Sequence, residues 1–139
     1  MTLEPREYST SIAKLVRVRP DFVEIHYAPG CTLTLEDMTE VQELRRKIMG
    51  TKPYGMLTII PDDVDYQLNA MDKDHLSTDR SQGNVLATAV VAKATMIELL
   101  VKLYFAHFPQ MHRIHVTDNE KEARAWLSTQ LEQHASTGS

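Results

Sequence analysis

The chain has 139 residues, 42% of them hydrophobic and 24% charged, with a formal net charge of −4. That length suits one domain able to bury a core without disulfides or a structural metal. The acidic balance excludes a generally basic nucleic-acid binder, because nothing would neutralise a phosphate backbone in bulk. A lone cysteine, Cys31, excludes an internal disulfide framework and fits a reducing cytoplasm. No apolar run reaches the ~18 residues of a transmembrane helix. Met1–Ser11 has neither the charged nor the apolar region of a signal peptide. These features place the expected location in the cytoplasm.

The elements follow in chain order. Met1–Ser11 reads as a polar tail. Lys14–Arg19 and Phe22–Tyr27 each alternate with a period of two, and Pro20-Asp21 between them supplies turn chemistry, so the pair predicts an antiparallel hairpin. Pro29-Gly30 ends it. Thr34 can cap a helix with Asp37 at its third position; Leu35, Met38, Val41, Leu44 and Ile48 mark its stripe, Lys47 suits its dipole and Gly50 stops it. Met56–Ile60 is a nearly unbroken apolar run closed by Pro61, the pattern of a strand covered on both faces. A polar passage follows, in which Asp72 can cap a short helix from Lys73 to Arg80 and Gln82-Gly83-Asn84 forms a loop. Val85–Val91 predicts another buried strand, and Thr95 opens a helix that runs to His107 or Phe108 before Pro109. His112–Val116 predicts the last strand. Thr117 and Glu120 then read as a capping box for a helix whose stripe is Ala123, Trp126, Leu127 and Leu131, ahead of a polar tail, His134–Ser139. The order ββαβαβαβα predicts an α/β fold with parallel crossovers after the initial hairpin.

That order and three local runs resemble the SpoIIAA-like domains grouped with the STAS and SEC14-like folds. Asp72-Lys73-Asp74-His75-Leu76 falls where the family starts a short helix after its third strand. Val85–Val91 is similar to its fourth strand. Val116 to Leu127 is similar to its closing strand, acidic turn and Ala-x-x-Trp-Leu helix. The resemblance spans residues 12–131 and implies one domain, residues 12–133, with a five-stranded mixed sheet, an N-terminal hairpin and about four packed helices. In the anti-sigma-factor antagonists of this fold, a serine at the start of the second helix is phosphorylated, which adds nearly two negative charges to a contact surface. Here that neighbourhood reads Asp72, Lys73, Asp74, with no serine before Ser77, so the switch is not carried over. Those four residues stand as a candidate contact surface.

Residue chemistry points away from catalysis. Among six histidines, His112 and His115 are closest, but a separation of three on a strand places them on opposite faces. No cysteine or carboxylate joins them at ligand spacing, so no metal is expected. Asp62, Asp63, Asp65, Asp72, Asp74 and Asp79 make one stretch acidic; acid–base work or a divalent cation would use such carboxylates, and caps and solvated loops explain them more simply. Cys31, five residues after His26, reads as a small inert thiol. Gly30, Gly50, Gly55 and Gly83 stand alone, so no phosphate loop or dinucleotide fingerprint exists, and no cofactor is expected.

The segment Met96–Phe108 is the most informative. At about 100° per residue its apolar side chains leave only a narrow polar strip, Glu98 and Lys102, an i,i+4 pair in the stabilising order. Met96, Leu99, Leu100 and Leu103 are expected on the sheet, which leaves Ile97, Val101, Phe105 and Phe108 as an extra face. A second helix, another subunit or an apolar ligand would cover that face. The expected function is non-enzymatic binding through protein–protein contacts, most simply as a homodimer. The SEC14 side of the resemblance implies the alternative, a carrier of a small apolar or lipid-like ligand.

Overall fold

A computed structural model describes residues 6–76, 84–109 and 113–137. Its centre is a six-stranded mixed sheet. The strands in chain order are β1 (Arg6–Ser9), β2 (Ala13–Arg19), β3 (Phe22–Tyr27), β5 (Tyr54–Ile60), β7 (Val85–Ala92) and β8 (Arg113–Thr117), and they neighbour one another in that order. β1, β2 and β3 run antiparallel, and β3, β5, β7 and β8 run parallel. Two short strands, β4 (Thr32–Leu33) and β6 (Asp65–Tyr66), form a separate parallel pair.

The helices are α1 (Leu35–Met49), α2 (Thr95–His107) and α3 (Glu120–Thr137). α1 forms as its sequence dictates. Thr34 Oγ1 accepts from the Asp37 N–H at 3.0 Å, and Gly50 ends the helix at a φ of 70° that a side chain would oppose. α1 and α2 cover one face of the sheet, where Val41, Met49 and Ile97 join Ile25, Met56 and Val90 in a core. α3 covers the other face, where Ala123, Leu127 and Leu131 meet Leu57, Ala87 and Ala89. Successive residues of β5 and β7 therefore serve opposite cores, which is why both strands are apolar almost throughout.

The structure corrects several expectations. The sheet has six strands rather than five, because Arg6–Ser9, which reads as polar tail, pairs with β2. Its polar residues suit an edge, where one row of backbone groups stays in water. Three helices occur among the described residues rather than four. Leu68–Asp72 forms a 3-10 turn and Lys73 is extended, so the helix expected over 73–80 does not start at Lys73, and its part after Leu76 lies outside the described residues. Ser77, Asp79, Arg80, Gln82 and Gly83 lie outside the described residues, as does His112. The last helix is capped by Asn119, whose Oδ1 accepts from the Glu122 N–H at 3.0 Å, while Thr117 Oγ1 accepts from Asn119. Asparagine outcompetes the threonine because it sits at the turn itself. That helix runs on past His134 to Thr137.

Candidate functional site

α2 carries a further correction. Ile97, expected on an extra face, is buried, and Leu100, Val101, Tyr104, Phe105 and Phe108 are half-buried beside it. The large apolar side chains of α2 left in solvent are Met96, Leu99 and Leu103, at 61%, 53% and 57% exposure. The face with aromatic reach turned inward. Within that face, Tyr104 packs edge-on against Phe105 and tilted against Phe108, with ring centroids 5.3 and 5.1 Å apart.

Beneath this inward face lies a cavity of about 100 Å³. Ile97, Val101 and Phe105 form one wall, and Met56, Thr58 and Val90 of the sheet form the floor. Met38 of α1, Tyr66 of β6 and Met71, His75 and Leu76 line further sides, and the cavity stays partly open to solvent. The short stretch around His75 in the cavity wall is bonded to α2. The His75 N–H donates to Tyr104 Oη at 2.8 Å, and that hydroxyl donates to the Lys73 carbonyl at 2.7 Å. From the other side Arg46 of α1 donates to the His75 carbonyl at 2.7 Å. One short stretch is thus tied to both helices.

His75 is the most unusual side chain in this wall. It is 95% buried by its 5% exposure, and its ring lies near-parallel to Tyr104 at 6.1 Å. Its Nε2 is 2.7 Å from the Ala70 carbonyl oxygen. A carbonyl can only accept, so Nε2 carries the proton and Nδ1 presents a lone pair. Among the described residues, Nδ1 is a buried side-chain nitrogen with no hydrogen-bond partner. Burial, with Lys73 and Arg46 nearby, pushes the imidazole pKa down against the Ala70 hydrogen bond and Asp74, so the ring favours its neutral form.

Around the cavity, polar groups are tied up in structure. Arg45 is fully buried, donating through Nε and Nη2 to Gln42 Oε1 at 3.0 and 2.8 Å and through Nη1 to Tyr54 Oη. Burial raises the Tyr27 hydroxyl pKa far above its usual range, so it stays a neutral phenol. Neither Arg45 nor His75 was singled out in the sequence. A signal for Arg45 existed, since it falls four residues after Val41 on the apolar stripe of α1. His75 gave none, because the elements that bury it are far apart in sequence.

The remaining sequence candidates disperse. Lys73 Nζ donates to Thr39 Oγ1 at 3.2 Å, and Asp74 Oδ1 accepts from the Leu76 N–H at 3.1 Å, a turn contact. Asp62, Asp63 and Asp65 are exposed. Among the described residues no three His, Cys, Asp or Glu side chains gather into a metal-holding group. His26 bonds Glu24 at 2.8 Å rather than approaching Cys31, whose thiol pKa is pushed up, first by burial. His115 bonds Glu122 at 2.8 Å and stacks on Trp126 at 5.2 Å. No helix among the described residues is long and apolar enough to cross a membrane.

The family model for SpoIIAA-like domains matches residues 25–128, from β3 into α3. Among solved structures, the chain is similar to an uncharacterized protein of the DUF3478 family with a SpoIIAA-like fold from Shewanella loihica PV-4. The two share 16% identity, over 88% of this chain and 91% of that one, with a TM-score of 0.54. That likeness is one of fold. No curated protein matches the chain at a significant level.

Proposed function

The chain belongs to the SpoIIAA-like family, and from that premise we propose that it is a non-enzymatic binding domain whose cavity holds a small, largely apolar ligand. Membership suggests a binding or regulatory role. The observation that carries the ligand reading is the cavity of about 100 Å³ walled by Ile97, Val101 and Phe105. Residues otherwise suited to a contact with another chain are spent lining it. Among the described residues, no nucleophile with a lowered pKa lies in its wall, and His75 is bonded to a backbone carbonyl rather than to a reactive partner. The test is native mass spectrometry of protein purified from its own host. A stoichiometric small molecule released from wild type, and missing from a folded Val101→Trp variant whose indole fills the space, supports the reading. Equal spectra for the two proteins refute it.

A second reading, contact with a protein partner and most simply a second copy, is favoured by the exposed row Met96, Leu99 and Leu103. A stable isologous contact needs about 800 Å² per partner, more than one helix face supplies alone. Light scattering should then show a dimer that the Leu99→Glu, Leu103→Glu double variant converts to monomer. A monomeric wild type at high micromolar concentration removes this reading.

A further inference from the structure

We propose that the cavity selects a compact apolar molecule bearing one hydroxyl, a phenol or a small alcohol, by letting that hydroxyl donate to His75 Nδ1. The proposal rests on the ligand-binding reading above and adds the chemical class of the ligand.

Two independent observations meet here. The first is the cavity itself, whose wall is mainly aliphatic and aromatic, with His75 in it. The second is that Nδ1, buried with its ring, has no hydrogen-bond partner among the described residues. The donor role of Nε2 toward the Ala70 carbonyl at 2.7 Å leaves Nδ1 as an acceptor. An acceptor asks for a donor, and an apolar wall asks that the rest of the molecule be apolar. A buried acceptor without a partner costs about 1–3 kcal/mol, so a ligand that supplies the donor gains over an isostere that cannot. The ring cannot swing to find another partner. Its Nε2 bond and its near-parallel contact with Tyr104 fix it, and its own backbone is held by Tyr104 and Arg46.

Size sets the second limit. A dry apolar cavity of about 150 Å³ takes up benzene, and this one is somewhat smaller at about 100 Å³. Met38 and Met71 in its wall are unbranched and can shift to admit a single ring.

Phenol and toluene have the same shape and heavy-atom count, and only phenol carries a donor. Both are titrated into the full chain labelled with ¹⁵N at histidine, with affinity from calorimetry and the His75 Nδ1 resonance from NMR. Phenol is expected to bind about tenfold tighter than toluene, the discrimination one net hydrogen bond supplies. It should also move Nδ1 toward the hydrogen-bonded position, while toluene leaves it in place. His75→Phe should erase the preference and retain toluene binding; if that variant fails to fold, the wild-type Nδ1 shift decides alone. Equal binding of both probes, with Nδ1 unmoved, overturns the acceptor role and leaves the ligand reading standing. An Nδ1 already at its hydrogen-bonded position in the free protein, and unmoved by phenol, overturns it too, because solvent then satisfies the nitrogen. Binding of neither probe overturns this proposal together with the reading it rests on.

Discussion

Gly55 and His75 show how much a single position can decide in this domain. A Cβ on Gly55 would lie 3.0 Å from Leu131 Cδ2 and 3.2 Å from Leu127 Cδ1, so α3 lies as close to β5 as a bare backbone allows. Gly55→Ala gains a little from the unfolded chain, about 0.4–1 kcal/mol, but overpacking a tight core costs about 1–3 kcal/mol. A net loss of stability in urea unfolding is expected; an unchanged midpoint would show that the two leucines give way freely. His75 acts through its proton. Its folded pKa lies below the unfolded value of about 6.5, chiefly through burial. Above that pH both states are neutral and stability is level. As pH falls below it, the unfolded chain takes the proton first and stability declines until the folded pKa is passed. Urea unfolding at pH 7.5 and 5.5 should therefore show a larger acid loss for wild type than for a folded His75→Phe variant. Equal losses would mean that the ring titrates alike in both states.

At the scale of elements, legibility followed the strength of local signals. α1 could be read to the residue because Thr34, Asp37 and Gly50 mark both ends and one stripe marks the buried face. β5 and β7 were plain from their apolar runs, which two covering layers require. β1 was invisible: Arg-Glu-Tyr-Ser has no period, and only its pairing with β2 makes it a strand. α2 was legible as a helix and illegible in orientation. A helix apolar around most of its girth carries no preferred face, so the choice fell to tertiary partners, above all the Tyr104 hydroxyl that reaches Lys73 and His75. The candidate site was hidden for the same reason. Its residues were named in part, as Ile97, Val101 and Phe105, but assigned outward. Trp126 also differs from a simple stripe reading, being half-buried and stacked on His115. Paired substitutions check the orientation of α2. Ile97→Ala should cost about 2–5 kcal/mol, the range for a buried aliphatic, and Leu103→Glu less than about 0.5 kcal/mol. The reverse ranking would return Leu103 to the core.

Over the whole molecule the two layers differ in how firmly they hold. α3 sets Ala123 and Leu127, both fully buried, against Leu57, Ala87 and Ala89. It is tied across the sheet by Arg124, whose Nη1 and Nη2 donate to both carboxylate oxygens of Glu24 at 2.8 and 3.2 Å. Burial alone would raise the Glu24 pKa, but the hydrogen bonds from Arg124 and His26 outweigh it and hold the carboxyl below its usual range. α2 has one fully buried residue, Ile97, and a cavity beneath its inner face. Its Tyr104 hydroxyl bonds the Lys73 carbonyl, and its outer face gives three large apolar side chains to solvent. A helix with one fully buried residue above a cavity defines a unit that opens locally, well below the free energy of global unfolding. Native-state hydrogen exchange should therefore find α2 amides exchanging by an opening that low denaturant hardly changes. The interior amides of α3 should follow global unfolding. Tyr104→Phe, which removes the tie and keeps the ring, should speed exchange in α2 and leave α3 alone. The consequence reaches function, since an opening of α2 alone widens a cavity already partly open to solvent while the sheet and α3 stay intact. If α2 and α3 instead exchange together, α2 is not an independent unit, and the cavity cannot widen without the rest of the domain.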